Sequence, residues 1–339
     1  MKYICYNWMP LLASQGLDLP PEFYKNAGTS RLHNLPPLDP DKLQHNETIF
    51  IKTDYIVNGF FQNHYLHKIN KRFNLISGVS AYHLGRDGGN AYKAILDHPH
   101  LNKWICSNPP DIDDERIIPM PIGFQEPDRK GGYQEFLEQI QECRTAFEKK
   151  EDGIFLPYHD LNTNPQRAQL FQKLSQLPFV HAQTEKQDLV EYYASLDKYK
   201  FVIGLEGRGP DIHRNYETLL AGAIPISIKN VIKRVFDYHE VESVFLNSWD
   251  ELNNNLFDKL LKTSYNIGRN DDFLTIDNHI SKIKEAVYNP DTGLYARLTK
   301  LDSRLDALEA WKANNAKVMW IIITIGVGLL LNTGWSTVF

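Results

Sequence analysis

Short apolar runs alternate along the chain with stretches whose apolar positions recur every three or four residues, the pattern of strands interleaved with helices in an α/β protein. In the first half, residues 47–52 (ETIFIK) and 73–77 (FNLIS) read as buried strands, and 117–123 (IIPMPIG) as a third that ends at a Pro/Gly turn. Residues 133–150 are polar and helical in spacing, with Phe136, Leu137, Ile140 and Phe147 on one face, and suit a connection between halves. A second series follows: 152–157 (DGIFLP), 179–182 (FVHA), 199–205 (YKFVIGL) and 223–228 (AIPISI) read as strands, and 164–176 and 186–196 as helices. Asn164 is placed to cap the first of these helices, with Pro165 at its first position. The pattern predicts two consecutive α/β halves, over 1–135 and 150–290, joined by a linker near 130–150, as in a two-domain enzyme with a cleft between its domains.

Beyond residue 290 the pattern changes twice. Leu294, Leu298, Leu301, Leu305 and Leu308 recur with a/d spacing, so 293–317 is expected to form an amphipathic helix or short coiled-coil stalk, with 294–312 a possible homo-oligomer contact. After Lys317 no residue carries a charge. The chain is 23% charged, so the last 22 residues should hold about five. Their apolar stretch, 318–331, with Trp320 and Trp335 placed as interface residues, is expected to be a single transmembrane anchor, with a buried core helix or an interfacial segment as the alternative. Lys312 and Lys317 precede it and no cation follows, which places the body on the cytoplasmic side.

Composition narrows the function classes. A chain of 339 residues with a formal charge of −5 has no overall basic field to hold a nucleic acid. Cys5, Cys106 and Cys143 are far apart, with no CxxC spacing, so neither a disulfide scaffold nor a zinc site is indicated. The N-terminus, broken by Asn7 and Pro10, does not read as a signal peptide. Asp111-x-Asp113 has the spacing of a metal-binding carboxylate pair, but such pairs are common and no metal is called for.

The densest chemistry lies in 200–229, KFVIGLEGRGPDIHRNYETLLAGAIPISIK. A strand runs into a Gly-rich loop, and a helix begins near Ile212, so backbone N–H groups and the positive end of a helix face an anion such as a phosphate. Arg208 and Arg214 add charge-assisted donors for diphosphate oxygens, and Glu217, one turn deeper, can accept from ribose or sugar hydroxyls. Read residue by residue, the same positions also allow a plain account: Asp211 as a helix cap, His213 and Arg214 solvated, Arg208 and Glu217 as a local ion pair.

This segment resembles the donor-binding motif of exostosin-like glycosyltransferases (glycosyltransferase family 47-like). The resemblance is carried by Lys200, Phe201, Arg208, Gly209, Asp211, His213, Arg214, Glu217, Leu219, Gly222, Ile224, Pro225 and Ile226. Departures are Glu206-Gly207 in place of Ser-Pro, Pro210, and Tyr216 in place of Trp. Weaker likenesses are 162–167 (NTNPQR), 52–55, Trp104 with 107–109, and 119–123. Following the FNLIS strand, Gly78-Val79-Ser80-Ala81 stands where relatives carry a polar acceptor-facing sequence.

The resemblance implies a GT-B fold, with Rossmann-like domains over 1–135 and 150–290 facing each other across a cleft, and transfer of a sugar, with inversion, from a nucleotide-diphosphate sugar to a glycan or glycolipid hydroxyl. Arg208, Gly209, Asp211, His213, Arg214 and Glu217 would then bind the donor. Inverting transfer needs a general base from the N-terminal side, where Asp54, His83 and Asp87 are the loop candidates. No cofactor or metal is implied. Two alternatives stand beside this reading: a fucosyltransferase-like enzyme using a guanosine-diphosphate sugar, which Glu206 favours, and a non-catalytic membrane-anchored glycan-binding or scaffold protein, which Gly78-Val79-Ser80-Ala81 favours.

Overall fold

The computed structural model describes residues 2–5, 8–17, 35–126 and 129–288. Two five-stranded parallel sheets, one in each half of the chain, make up an α/β architecture, and both belong to one compact unit, Met1–Ile280, with Ser281–Phe339 a second unit. The stalk and anchor expected over 293–339 lie outside the described residues.

The first sheet contains β1 (Gln15–Leu17), β2 (Glu47–Lys52), β3 (Phe73–Gly78), β4 (Leu101–Cys106) and β5 (Ile117–Pro119), in that spatial order. Every step moves to the next strand in the same direction, joined by α1 (Thr53–Val57) and α2 (Phe60–His64) after β2 and by α3 (Ala91–Leu96) after β3. The six residues of β3 are all buried, as a central parallel strand covered on both faces requires. Trp104, fully buried, donates its indole N–H to Ser77 Oγ at 2.9 Å, tying β4 to β3 through side chains as well as backbone.

Three strands escape the periodicity reading: β1 and the strand Val244–Leu246 in the second half are only three residues long, and LNKWIC in β4 mixes polar and apolar positions. The strand expected over 117–123 stops at Pro119, because Pro119 and Pro121 have no N–H to donate to a ladder. The chain then turns through Gly123 at φ +74°, where an added Cβ would stand 2.6 Å from Ile4 O.

The linker is not one helix. Residues Gln134–Cys143 form α4, and Arg144 is extended at ψ 150°. Leaving the helix lets Arg144 bind both oxygens of Asp271 at 2.6 Å and Leu220 O at 3.3 Å, a clamp between the linker and the second half.

The second sheet contains β6 (Glu151–Leu156), β7 (Val180–Ala182), β8 (Tyr199–Ile203), β9 (Ile224–Ile228) and β10 (Val244–Leu246) in the order β10-β9-β8-β6-β7. Its helices are α5 (Gln166–Leu174), α6 (Leu189–Lys198), α7 (His213–Leu220), α8 (Val231–His239), α9 (Asn254–Lys262), α10 (Ile267–Phe273) and α11 (Ile276–Tyr288). Asn164 Oδ1 accepts from Gln166 N at 3.0 Å, so the expected Asn-Pro start of α5 holds to within a residue. Asp188 and Glu191 form a reciprocal capping box at the start of α6.

From β6 the chain crosses to β7 on one side, and from β8 it crosses to β9 on the other. This reversal is a topological switch point, and it opens a crevice beyond the carboxyl ends of β6 and β8. Both halves therefore conform to the expected Rossmann-like layering, and only the second carries this crevice.

Candidate functional site

The crevice is built from two loops. Residues leaving β6 include His159, Thr163 and Arg167, and those leaving β8 form the Gly-rich run 204–212 that feeds α7. Arg167, on the first turn of α5, knits the two loops together. Its Nε donates to Glu206 O at 2.7 Å, its Nη2 to Leu205 O at 2.9 Å, and its Nη1 to Asp160 O and Thr163 Oγ1 at 3.0 and 2.6 Å. Asn164 adds amide contacts to the carbonyls of Glu206 and Gly207 at 3.3 Å.

A cleft of about 350 Å³ lies between this assembly and the first half. The first half supplies Ser80, Ala81, Ile122 and Gln125, and the second supplies Thr163, Arg167, the 207–209 backbone with Arg208, Asp211, Ile212, His213, Arg214 and Glu217. All six residues expected to bind the donor line this one cleft.

Their roles divide. Arg214 is partly buried, its guanidinium lies 5.1 Å over the Tyr192 ring, and its Nη1 is buried without a hydrogen-bond partner among the described residues. Arg214 forms no ion pair among the described residues, and Arg208 and Glu217, the local ion pair of the plain account, are not joined there either. A buried cationic donor with no acceptor is costly unless a ligand completes it. Arg167 is also buried, and both burial and the Arg214 charge pull its guanidinium below the usual arginine range. His159, between these two arginines, is pushed down to about 2 by burial and their charge, and is neutral. It accepts from Leu205 N at 3.4 Å through Nε2.

Glu217 is buried, and one carboxylate oxygen accepts from Tyr192 Oη at 2.6 Å, which fixes the plane of the group and leaves the other oxygen available. The α7 helix starts at this point with no side-chain cap on its N-terminus.

Asp211, His213 and Gly209 serve mainly to join the halves. Asp211 Oδ2 accepts from Ile122 N at 3.0 Å and from Tyr216 Oη at 2.5 Å. Complete burial pushes its carboxyl up to about 7. It is thus not the helix cap of the plain account. His213 Nδ1 lies 2.8 Å from Gly123 O. Gly209 approaches so closely that a Cβ there would meet Ala81 O at 2.5 Å, which explains glycine at this position. Arg86, from the first half, donates to Arg208 O at 3.2 Å, and Arg234 of α8 reaches the carbonyls of Pro110 and Ile112.

The base candidates are placed differently, and none lines the cleft. Asp54, on α1, stands 3.8 Å from Lys52 Nζ. His83 is engaged within its own loop, its Nδ1 accepting from Arg86 N at 2.6 Å, and burial lowers its pKa. Asp87 accepts from His83 N at 2.7 Å and from the Arg86 guanidinium, which keep its carboxyl below the ordinary range. The His83–Asp87 unit builds the loop that carries Ser80 and Ala81. Sequence reasoning found the carboxylates and imidazole of this loop, but their turn-forming role depends on backbone N–H groups that a sequence does not display.

Two functional side chains were missed or underweighted by sequence reasoning: Tyr192, which positions Glu217, and Arg167 as the buried keystone. Arg167 had a signal in the NTNPQR likeness, and Tyr192 had none. Among the described residues, no three His, Cys, Asp or Glu side chains are grouped to hold a metal ion, and Asp111 and Asp113 sit in the loop before β5. Cys5 and Cys106 are buried and Cys143 is exposed, and no disulfide joins them. Comparison with protein-family models and with curated proteins finds no match for this chain.

Proposed function

We propose that the protein is a glycosyltransferase of GT-B type, similar to the exostosin-like enzymes, which moves a sugar from a nucleotide-diphosphate sugar to a hydroxyl of a glycan or glycolipid. The observation that carries this reading is Arg214 Nη1, buried without a hydrogen-bond partner among the described residues, at the start of α7 where no side chain caps the helix, in a cleft that Arg167 and Glu217 also line. An anion completes that arrangement, and a polyhydroxylated neighbour suits the free Glu217 oxygen. In the reaction, the acceptor hydroxyl oxygen bonds to the anomeric carbon as the bond from that carbon to the diphosphate oxygen breaks; the nucleoside diphosphate leaves, and the hydroxyl proton passes to water in the cleft. Arg214, Arg208 and the α7 N-terminus stabilise the charge that collects on the departing diphosphate. Glu217 orients the donor through a ribose or sugar hydroxyl.

One observation favours a second reading. The first-half wall, Ser80, Ala81, Ile122 and Gln125, has no ionisable side chain to take the acceptor proton, as a non-catalytic nucleotide-sugar or glycan-binding protein would have it. Sugar release from a panel of nucleotide-diphosphate sugars decides between the two. Turnover that Glu217→Ala reduces by about 100-fold supports the enzyme. Nucleoside diphosphate binding without release from any donor supports the binding protein, and absence of binding rejects both.

No helix among the described residues is long and apolar enough to cross a membrane. The uncharged segment 318–339, outside those residues, is proposed as a membrane anchor that leaves the body on the cytoplasmic side. Deleting 318–339 is expected to move the protein from the carbonate-resistant membrane fraction to the supernatant; an unchanged distribution removes the anchor.

A further inference from the structure

A second cavity, of about 260 Å³, lies beyond the carboxyl ends of β8, β9 and β10, and meets the anion cleft at Arg167, which lines both. Its apolar walls are Leu170, Leu205, Ile228 and Trp249; its charged groups are Arg167, whose guanidinium is engaged by backbone carbonyls, and Glu206, its carboxylate. Together the two spaces fall in the roughly 300–1,000 Å³ range of small-molecule sites. Glu206 lines this second cavity and not the anion cleft, whereas Arg208 and Arg214 line the cleft and not this cavity.

The Glu206 carboxylate is held in place. Asn230 donates its amide to Glu206 Oε1, and Asn230 is itself fixed because its Oδ1 caps α8 by accepting from Ile232 N at 2.8 Å. The Glu206 carbonyl is held in turn by Arg167 and Asn164. One carboxylate oxygen and the remaining lone pair on the other are left to accept hydrogen bonds.

We infer that this second cavity takes the base of a guanine nucleotide, with Glu206 accepting from the guanine ring N1–H and 2-amino group. The inference rests on the donor-site reading above, because Arg167 joins the base cavity to the diphosphate cleft. A carboxylate is an acceptor only, so it pairs with an edge that presents two adjacent donors. Guanine has such an edge. Uracil offers one N–H flanked by two carbonyl oxygens, and adenine and cytosine place a ring acceptor beside their amino group. Stacking of the base between apolar walls is common to all four bases, so the selection falls to Glu206.

The test uses calorimetry on the full chain with pyrophosphate, GDP, IDP, UDP and ADP. IDP differs from GDP only by lacking the 2-amino group. GDP is expected to bind about tenfold or more tightly than IDP, UDP or ADP, as one lost bidentate partner predicts. Glu206→Gln is expected to remove most of the GDP-over-IDP preference while leaving pyrophosphate affinity unchanged, which also reports that the variant is folded. Equal or tighter binding of UDP overturns the guanine assignment and leaves the donor site standing. A Glu206→Gln loss that is the same for GDP, IDP and UDP overturns the role of Glu206, since a merely structural side chain would act on all three alike. Failure of pyrophosphate and every nucleotide to bind overturns the donor-site reading itself.

Discussion

Replacing Arg214 with Met separates a ligand-binding cation from a structural one. In the folded protein its guanidinium stacks over Tyr192 at 5.1 Å, and its Nη1 is buried without an acceptor among the described residues. Arg214→Met loses the cation–π contact, about 0.5–1 kcal/mol, but keeps an apolar stem against the ring. It also relieves repulsion toward Arg167 and the burial of an unpaired donor. These effects oppose each other, so stability without ligand should change by less than about 1 kcal/mol.

Ligand binding should behave otherwise. One or two charge-assisted hydrogen bonds to a diphosphate are worth about 2–4 kcal/mol, which is about 30- to 1,000-fold in Kd. At a nucleotide concentration of about 100 times the native Kd, binding stabilises the fold by about 2.7 kcal/mol. For a unit of this size that is a rise in Tm of about 4–5 °C. A hundredfold weaker variant retains about 0.4 kcal/mol at the same concentration, a rise near 1 °C. Differential scanning fluorimetry with and without GDP or UDP reads both quantities at once. A variant that loses more than about 6 °C without ligand, yet keeps the full nucleotide-dependent rise, would refute the assignment of Arg214 to an anion.

Asp211, with its carboxyl raised to about 7, binds its proton more tightly folded than unfolded. Its contribution to stability is therefore present below the unfolded pKa, near 4, and is lost as pH rises towards 7, at up to about 1.4 kcal/mol per pH unit. Asp211→Asn keeps an oxygen for Ile122 N and Tyr216 Oη, so urea unfolding should show the variant gaining on the native protein between about pH 4 and 7; parallel pH profiles would contradict this. Gly209→Ala puts a methyl group against Ala81 O at 2.5 Å and should cost about 1–3 kcal/mol by denaturant unfolding, along with nucleotide affinity; a neutral result would show that the two loops separate freely. Tyr192→Phe removes the 2.6 Å hydrogen bond to Glu217 and should weaken nucleotide-sugar binding about 3- to 10-fold by calorimetry, with the α6 capping box and hence the helix intact; unchanged affinity would mean that Glu217 does not contact the ligand.

Much of the frame was legible from residue order because it depends on local chemistry. Alternation of buried strands and amphipathic helices marks seven of the ten strands among the described residues, although the apolar run 117–123 extends past the strand it contains. The helix bounded by Ile212 and Gly222 was also visible: Gly222 adopts φ +71°, a conformation that favours glycine, where the helix ends. The short β1 and β10 and the polar-apolar mixture in β4 gave no such pattern, since a strand of three residues has too few positions to show a period.

By itself, then, residue order determined the α/β class, the Gly-rich loop before α7 and the set Arg208, Gly209, Asp211, His213, Arg214 and Glu217 that gathers at one cleft. Tertiary structure alone decided what each of them does. It committed Asp211 and Gly209 to contact with the first half, left Arg214 without an acceptor among the described residues, and gave Glu217 its Tyr192 partner from 25 residues away. It also kept Asp54, His83 and Asp87 out of the cleft lining and set Glu206 in a separate cavity. The physical reason is that hydrogen bonding and burial are properties of neighbours in space. An arginine or a carboxylate has the same charge wherever the chain places it, but what it can bind depends on which donors and acceptors the fold has already satisfied.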